Sequence, residues 1–131
     1  MLRATLTALA LILSAGPVAA DDLSDVISQQ LDAFAARDVG QAFSFASPMI
    51  QGTFGTPENF GAMVAQGFPM IWTPVDPRFG DRRALGPRTY QRVLLKDGDG
   101  VIRVMEYEMI QMNDAWLING VREVPAQELA V

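Results

Sequence analysis

The sequence predicts an α+β fold, with N-terminal helices packed on one face of a curved antiparallel sheet. Apolar residues recur at spacings of three and four in the first half of the chain. The second half is rich in branched and aromatic residues, divided by tight-turn signals. Between them Ala42 to Pro69 holds five aromatics, four glycines and three prolines, a shaped apolar segment and not a solvated loop.

The first twenty residues read as a cleaved export signal. Met1, Leu2 and Arg3 give a short positive start, Leu6 to Leu13 an apolar core, and Gly16-Pro17 a helix break before the small residues Val18-Ala19-Ala20. The apolar core is too short to cross about 30 Å of hydrocarbon. Cleavage after Ala20 makes Asp21 the new N-terminus, and 131 less 20 leaves 111 residues, 21–131, enough for one domain with a modest core. The expected location is the periplasm or the medium.

Asp21 to Asp38 carries one apolar stripe, Leu23, Val26, Ile27, Gln30, Leu31 and Phe34, with Asp22 as the expected cap. Asp38-x-x-Gln41 is a second capping pair, opening a short helix that Ser47-Pro48 is expected to end, since the residue before proline avoids helical backbone. A glycine-rich connection follows. Thr56-Pro57-Glu58 starts another helix, with Phe60, Met63 and Val64 on one face and Gly67 as its stop. Pro69 to Pro77 reads as extended or looped and holds Trp72.

Strands are expected at Arg82 to Leu85, Thr89 to Lys96, Val101 to Met112 and Ala115 to Val124. Asp97-Gly98-Asp99-Gly100 and Asn113-Asp114 are the turns between the last three. Alternation puts Met105, Tyr107, Met109, Trp116 and Ile118 on the inner face, the last two sharing it with Gly120 and Arg122 unless a bulge at Gly120 shifts the parity.

Composition excludes several chemistries. The chain has no cysteine and no histidine, so disulfides, thiolate nucleophiles and the commonest general base and metal ligand are missing. No metal site and no cofactor is expected. Without Arg3, nine basic residues face fifteen acidic ones, a formal net of −6, which disfavours nucleic acid and anionic membranes as partners. Asp97-x-Asp99 lacks the further oxygens of a calcium loop and reads as a turn. The glycines at 52, 55 and 61 do not follow a strand as a phosphate loop requires.

Several phrases in order resemble domain of unknown function 4864, a family of short exported bacterial proteins. They are Gln30 to Phe34, Asp38, Ala42-Phe43, Phe45-Ala46-Ser47-Pro48, Phe54-Gly55, Phe60, Met63-Val64, Phe68-Pro69 and Trp116 to Val121. The layout is also similar, more distantly, to the NTF2-like superfamily, which implies a cone whose mouth holds a small ligand. The resemblance supplies no activity and no catalytic residue.

Three functional readings remain open. The first is a non-catalytic exported binding or accessory domain for a small apolar ligand, held by Phe54, Phe60, Trp72, Met105, Tyr107 and Trp116. The second is an enzyme of isomerase or hydrolase type pairing a carboxylate, Glu106 or Glu108, with Tyr107. The inner-face assignment instead makes both glutamates a solvated outer face. Tyr90 offers a further hydroxyl, and Arg103 and Arg122 a fork for a carboxylate. The third is a homodimeric assembly partner joined through the outer face of the sheet.

Overall fold

The computed structural model describes residues 21–129, so the expected export signal lies outside the described residues. Six helices and four strands follow in order, and the strands form an open, curved antiparallel meander, β1-β2-β3-β4. The architecture is α+β, helices first and sheet after. Among the described residues no helix is long and apolar enough to cross a membrane.

Helix α1 (Asp22–Ala35) buries Leu23, Ile27, Gln30, Leu31 and Phe34, the stripe its sequence spacing predicts. Its cap is Asp21 and not Asp22. Asp21 has extended backbone and accepts from the Ser24 N–H, while Asp22 and Asp25 sit in the first turn, facing the positive end of the helix. The Asp21 carboxylate also takes Arg82 Nη2 at 2.5 Å, tying the start of α1 to the sheet. The helix ends early at Ala35, because Arg37 turns left-handed with φ 60°. That strained backbone is held by the arginine's own side chain. Its guanidinium donates to the carbonyls of Phe34 and Trp72 and lies 4.2 Å over the Trp72 ring.

Asp38 caps α2 (Val39–Ser44) through the Gln41 N–H at 3.1 Å. The next element departs from expectation. The preceding helix has already stopped at Ser44, with Phe45 as its C-cap, and Ser47-Pro48 instead starts another, α3 (Pro48–Phe54). Ser47 accepts from the Ile50 N–H, and Pro48 sits in the first turn, where its missing N–H costs nothing. Gly55, at φ 80°, ends α3 with backbone that only glycine adopts readily. Helix α4 (Pro57–Gly67) is capped by Thr56, as read from the sequence. Pro69–Trp72, expected as extended or looped, is a single helical turn, α5, started by Pro69.

Strand β1 (Arg78–Leu85) begins four residues before its expected start, Arg82. It pairs with β2 (Arg88–Lys96), which pairs with β3 (Ile102–Met112), and that with β4 (Ala115–Glu123). Asp97 fixes the β2–β3 turn by accepting the N–H groups of Asp99 and Val101, and its second oxygen takes Arg103 at 2.9 Å. Asn113 and Asp114 are both left-handed, as a two-residue hairpin turn needs. The last described element is the short helix α6 (Ala126–Leu129).

Opposite Glu108 and Met109 the register steps from Gly120 to Ile118, so Asn119 is an extra residue in β4. Trp116 and Ile118 therefore share a face with Val121, not with Gly120 and Arg122. Arg122 lies across from Glu106 on the outer face. The expected inner residues of β3 are in place: Met105, Tyr107 and Met109 are buried with Ile118 beneath the helices. Helices and sheet are joined at β4, where Ile118 donates to the Phe45 carbonyl and accepts from the Ser47 N–H at 2.8 Å.

Candidate functional site: an apolar cavity under the aromatic helices

Between the helices and the inner face of the sheet lies a cavity of about 260 Å³. Phe34 and Gln30 of α1 border it. Ile50 and Phe54 come from α3, Phe60, Met63 and Val64 from α4, and Phe68 and Ile71 from the α5 turn. The sheet contributes Tyr107, Ile118, Gly120 and Val121.

Phe60 is the centre of the aromatic wall. Its ring centroid lies 5.8 Å from Phe34, 5.3 Å from Phe43 and 5.8 Å from Phe54. Such tilted and edge contacts each add about 0.5–1.5 kcal/mol beyond burial. Close packing of α4 on α2 makes the wall possible: a Cβ on Gly61 would meet Val39 Cγ1 at 2.7 Å.

Two polar groups interrupt the apolar lining. Gln30 is buried and donates to the Ala42 carbonyl at 3.1 Å. Tyr107 is 1% exposed, and its hydroxyl is buried without a hydrogen-bond partner among the described residues. Burial pushes the phenol pKa up, so the hydroxyl is a neutral donor and acceptor. An unsatisfied buried hydroxyl costs about 1–3 kcal/mol.

Of the six residues named from the sequence, Phe54, Phe60 and Tyr107 line the cavity, and Trp72, Met105 and Trp116 do not. Trp72 packs behind Phe34 at 5.9 Å, under Arg37. Met105 is fully buried core, and Trp116 packs against the core near the start of β4. Sequence reasoning missed Gln30 as a site residue, although a polar side chain inside an apolar stripe was its signal. Val121 was missed because the extra residue Asn119 reverses the parity beyond it.

The carboxylates lie elsewhere. Glu106 and Glu108 are on the outer face, opposite to Tyr107, and among the described residues no carboxylate lines the cavity. Glu106 is nevertheless 4% exposed and not solvated. One of its oxygens accepts Arg122 Nε and Nη2 at 3.2 and 3.0 Å, the other accepts Arg92 Nε at 3.3 Å, and Arg83 stands 3.6 Å away. Burial raises its pKa, but the Arg122 and Arg92 hydrogen bonds and the nearby charges outweigh this and hold it below the usual carboxylate range. Glu108 accepts Asn119 Nδ2 at 2.5 Å and Tyr90 Oη at 3.4 Å, with Arg88 Nε 3.2 Å away. Of the two candidate arginines, Arg103 bridges Asp97 and Glu123, and Arg122 bridges Glu106 and Glu128.

The chain belongs to the family described as domain of unknown function DUF4864, whose profile matches residues 18–131. No curated protein and no solved structure matches it.

Proposed function

We propose that this chain is an exported, non-catalytic domain that binds a small apolar ligand carrying one polar group. The single observation behind this reading is the Tyr107 hydroxyl, buried and unpartnered in a residue that lines an apolar cavity of about 260 Å³. An apolar cavity of about 150 Å³ takes benzene, so this one suits a ligand on the order of ten non-hydrogen atoms. Phe54, Phe60 and Val64 would enclose the ligand body, and a hydroxyl or carbonyl would meet Tyr107. Helices standing over one face of a curved sheet also support the NTF2-like cone as the wider fold relationship. The n-region, apolar core and small residues up to Ala20 support export to the periplasm or medium.

The enzymatic alternative needs a carboxylate beside Tyr107, and both β3 glutamates point to the other face of the sheet. The binding reading is tested by mass spectrometry of protein isolated from its native host under non-denaturing conditions. Wild type should retain a small-molecule adduct that the cavity-filling variant Val121→Phe lacks. Wild-type protein free of any adduct, or an adduct retained equally by Val121→Phe, would overturn it.

A further inference from the structure

The outer face of the sheet carries a second feature that the cavity does not explain. Three guanidiniums converge on the one carboxylate of Glu106: Arg83 from β1, Arg92 from β2 and Arg122 from β4. The chain as a whole is acidic, with a formal charge of −5, so this gathering of arginines runs against its composition.

Glu106 cannot satisfy all of them. Arg122 spends its N–H groups on Glu106 and Glu128. Arg92 gives Glu106 only its Nε, and its two terminal amino groups donate to nothing among the described residues. Arg83 makes no side-chain hydrogen bond there; it stands 3.6 Å from Glu106 and lies 4.8 Å over the Tyr90 ring. Both arginines border a groove of about 180 Å³, whose other walls are Asp81, Arg82, Tyr90 and Glu106. Arg82 is engaged by Asp21 and Gln91, so it closes the groove without offering its charge.

We propose that this groove binds a small oxyanion, a carboxylate or phosphate group, between the guanidiniums of Arg83 and Arg92. A planar fork with unspent donors matches an oxyanion in two-point geometry, which a lysine would not. Glu106 and the Tyr90 ring hold the two forks in place before a ligand arrives, which lowers the ordering cost of binding. Glu106 acts as a positioning residue here, since its own oxygens are already engaged. Asp81 on the groove wall favours an anion of low charge over a polyanion. The site is separate from the cavity and does not rest on it, the two lying on opposite faces of the sheet.

The test is titration of the full folded domain with inorganic phosphate and, separately, with acetate, following the arginine Nε–Hε signals by NMR. Sodium chloride at matched ionic strength is the control. Saturable shifts of the Arg83 and Arg92 signals with one or both oxyanions support the site, and the oxyanion that saturates first assigns its chemistry. Affinity should fall at least tenfold in Arg83→Gln and stay unchanged in Arg78→Gln, an exposed arginine outside the groove. Shifts that chloride reproduces would overturn the proposal. So would an Arg83→Gln variant that binds like wild type, or an Arg78→Gln variant weakened equally.

Discussion

Glu106 and Tyr107 are consecutive on β3, both nearly inaccessible, and face opposite sides of the sheet. One carboxylate accepts from Arg92 and Arg122 with Arg83 3.6 Å away, while the neighbouring hydroxyl has no partner among the described residues. The strand's period of two separates a charge cluster from an apolar cavity across the thickness of one backbone.

Removing the Tyr107 hydroxyl should stabilise the ligand-free protein. Tyr107→Phe keeps the ring and deletes the unsatisfied group, a gain of about 1 kcal/mol. Urea unfolding of protein stripped of small molecules checks this. A loss of stability would mean that the hydroxyl is already satisfied in the free protein.

Glu106 should give the fold a pH dependence. Its folded pKa lies below its unfolded value near 4.5, so its contribution is fully present above that value. As pH falls toward and through the lowered folded pKa, the contribution is lost. Glu106→Gln removes this acid-range slope and leaves Arg83, Arg92 and Arg122 facing one another. Since those arginines are partly exposed, the cost at neutral pH is about 1–2 kcal/mol. Thermal unfolding of both proteins between pH 3 and 7 measures the two effects together.

Gly61 should tolerate no side chain while Val39 stands opposite. With Val39 Cγ1 at 2.7 Å from the position of a Cβ, Gly61→Ala forces α4 and α2 apart and costs about 1–3 kcal/mol. Val39→Ala in the same chain removes the clashing methyl and should restore most of the loss. A double-mutant cycle by denaturant unfolding checks it, and additive losses would contradict the contact.

The proposed export predicts a mature chain starting at Asp21. N-terminal sequencing of protein recovered from the periplasm or medium of a bacterial host should read Asp-Asp-Leu-Ser. Leu11→Arg, which places a charge in the apolar core of the signal, should leave the full-length chain in the cytoplasm.

Much of the architecture was legible because local chemistry announced it. The stripe on α1, the Thr56-Pro57 start of α4, and the Asp97 to Gly100 and Asn113-Asp114 turns each depend on neighbours within a few residues. Ser47-Pro48 was read only as a stop, although α2 ends earlier at Ser44 and Ser47 caps the next helix. The parity of β4 was lost at Asn119, because a bulge is decided by pairing with another strand. Of the six candidates named from the sequence, the aromatics Phe54, Phe60 and Tyr107 line the cavity, since aromatics need a partner surface. The cavity itself was not, since it is the volume that side chains from four helices and two strands leave unfilled.

The most direct test of the central claim compares benzyl alcohol with ethylbenzene, a pair of equal heavy-atom count differing by a hydroxyl in place of a methyl. Calorimetric titration should show both binding the wild type saturably. In Tyr107→Phe the ratio of alcohol to hydrocarbon affinity should fall about fivefold, the equivalent of one neutral hydrogen bond near 1 kcal/mol. An unchanged ratio, or no binding of either compound to the wild type, would contradict Tyr107 as the polar anchor of a ligand cavity.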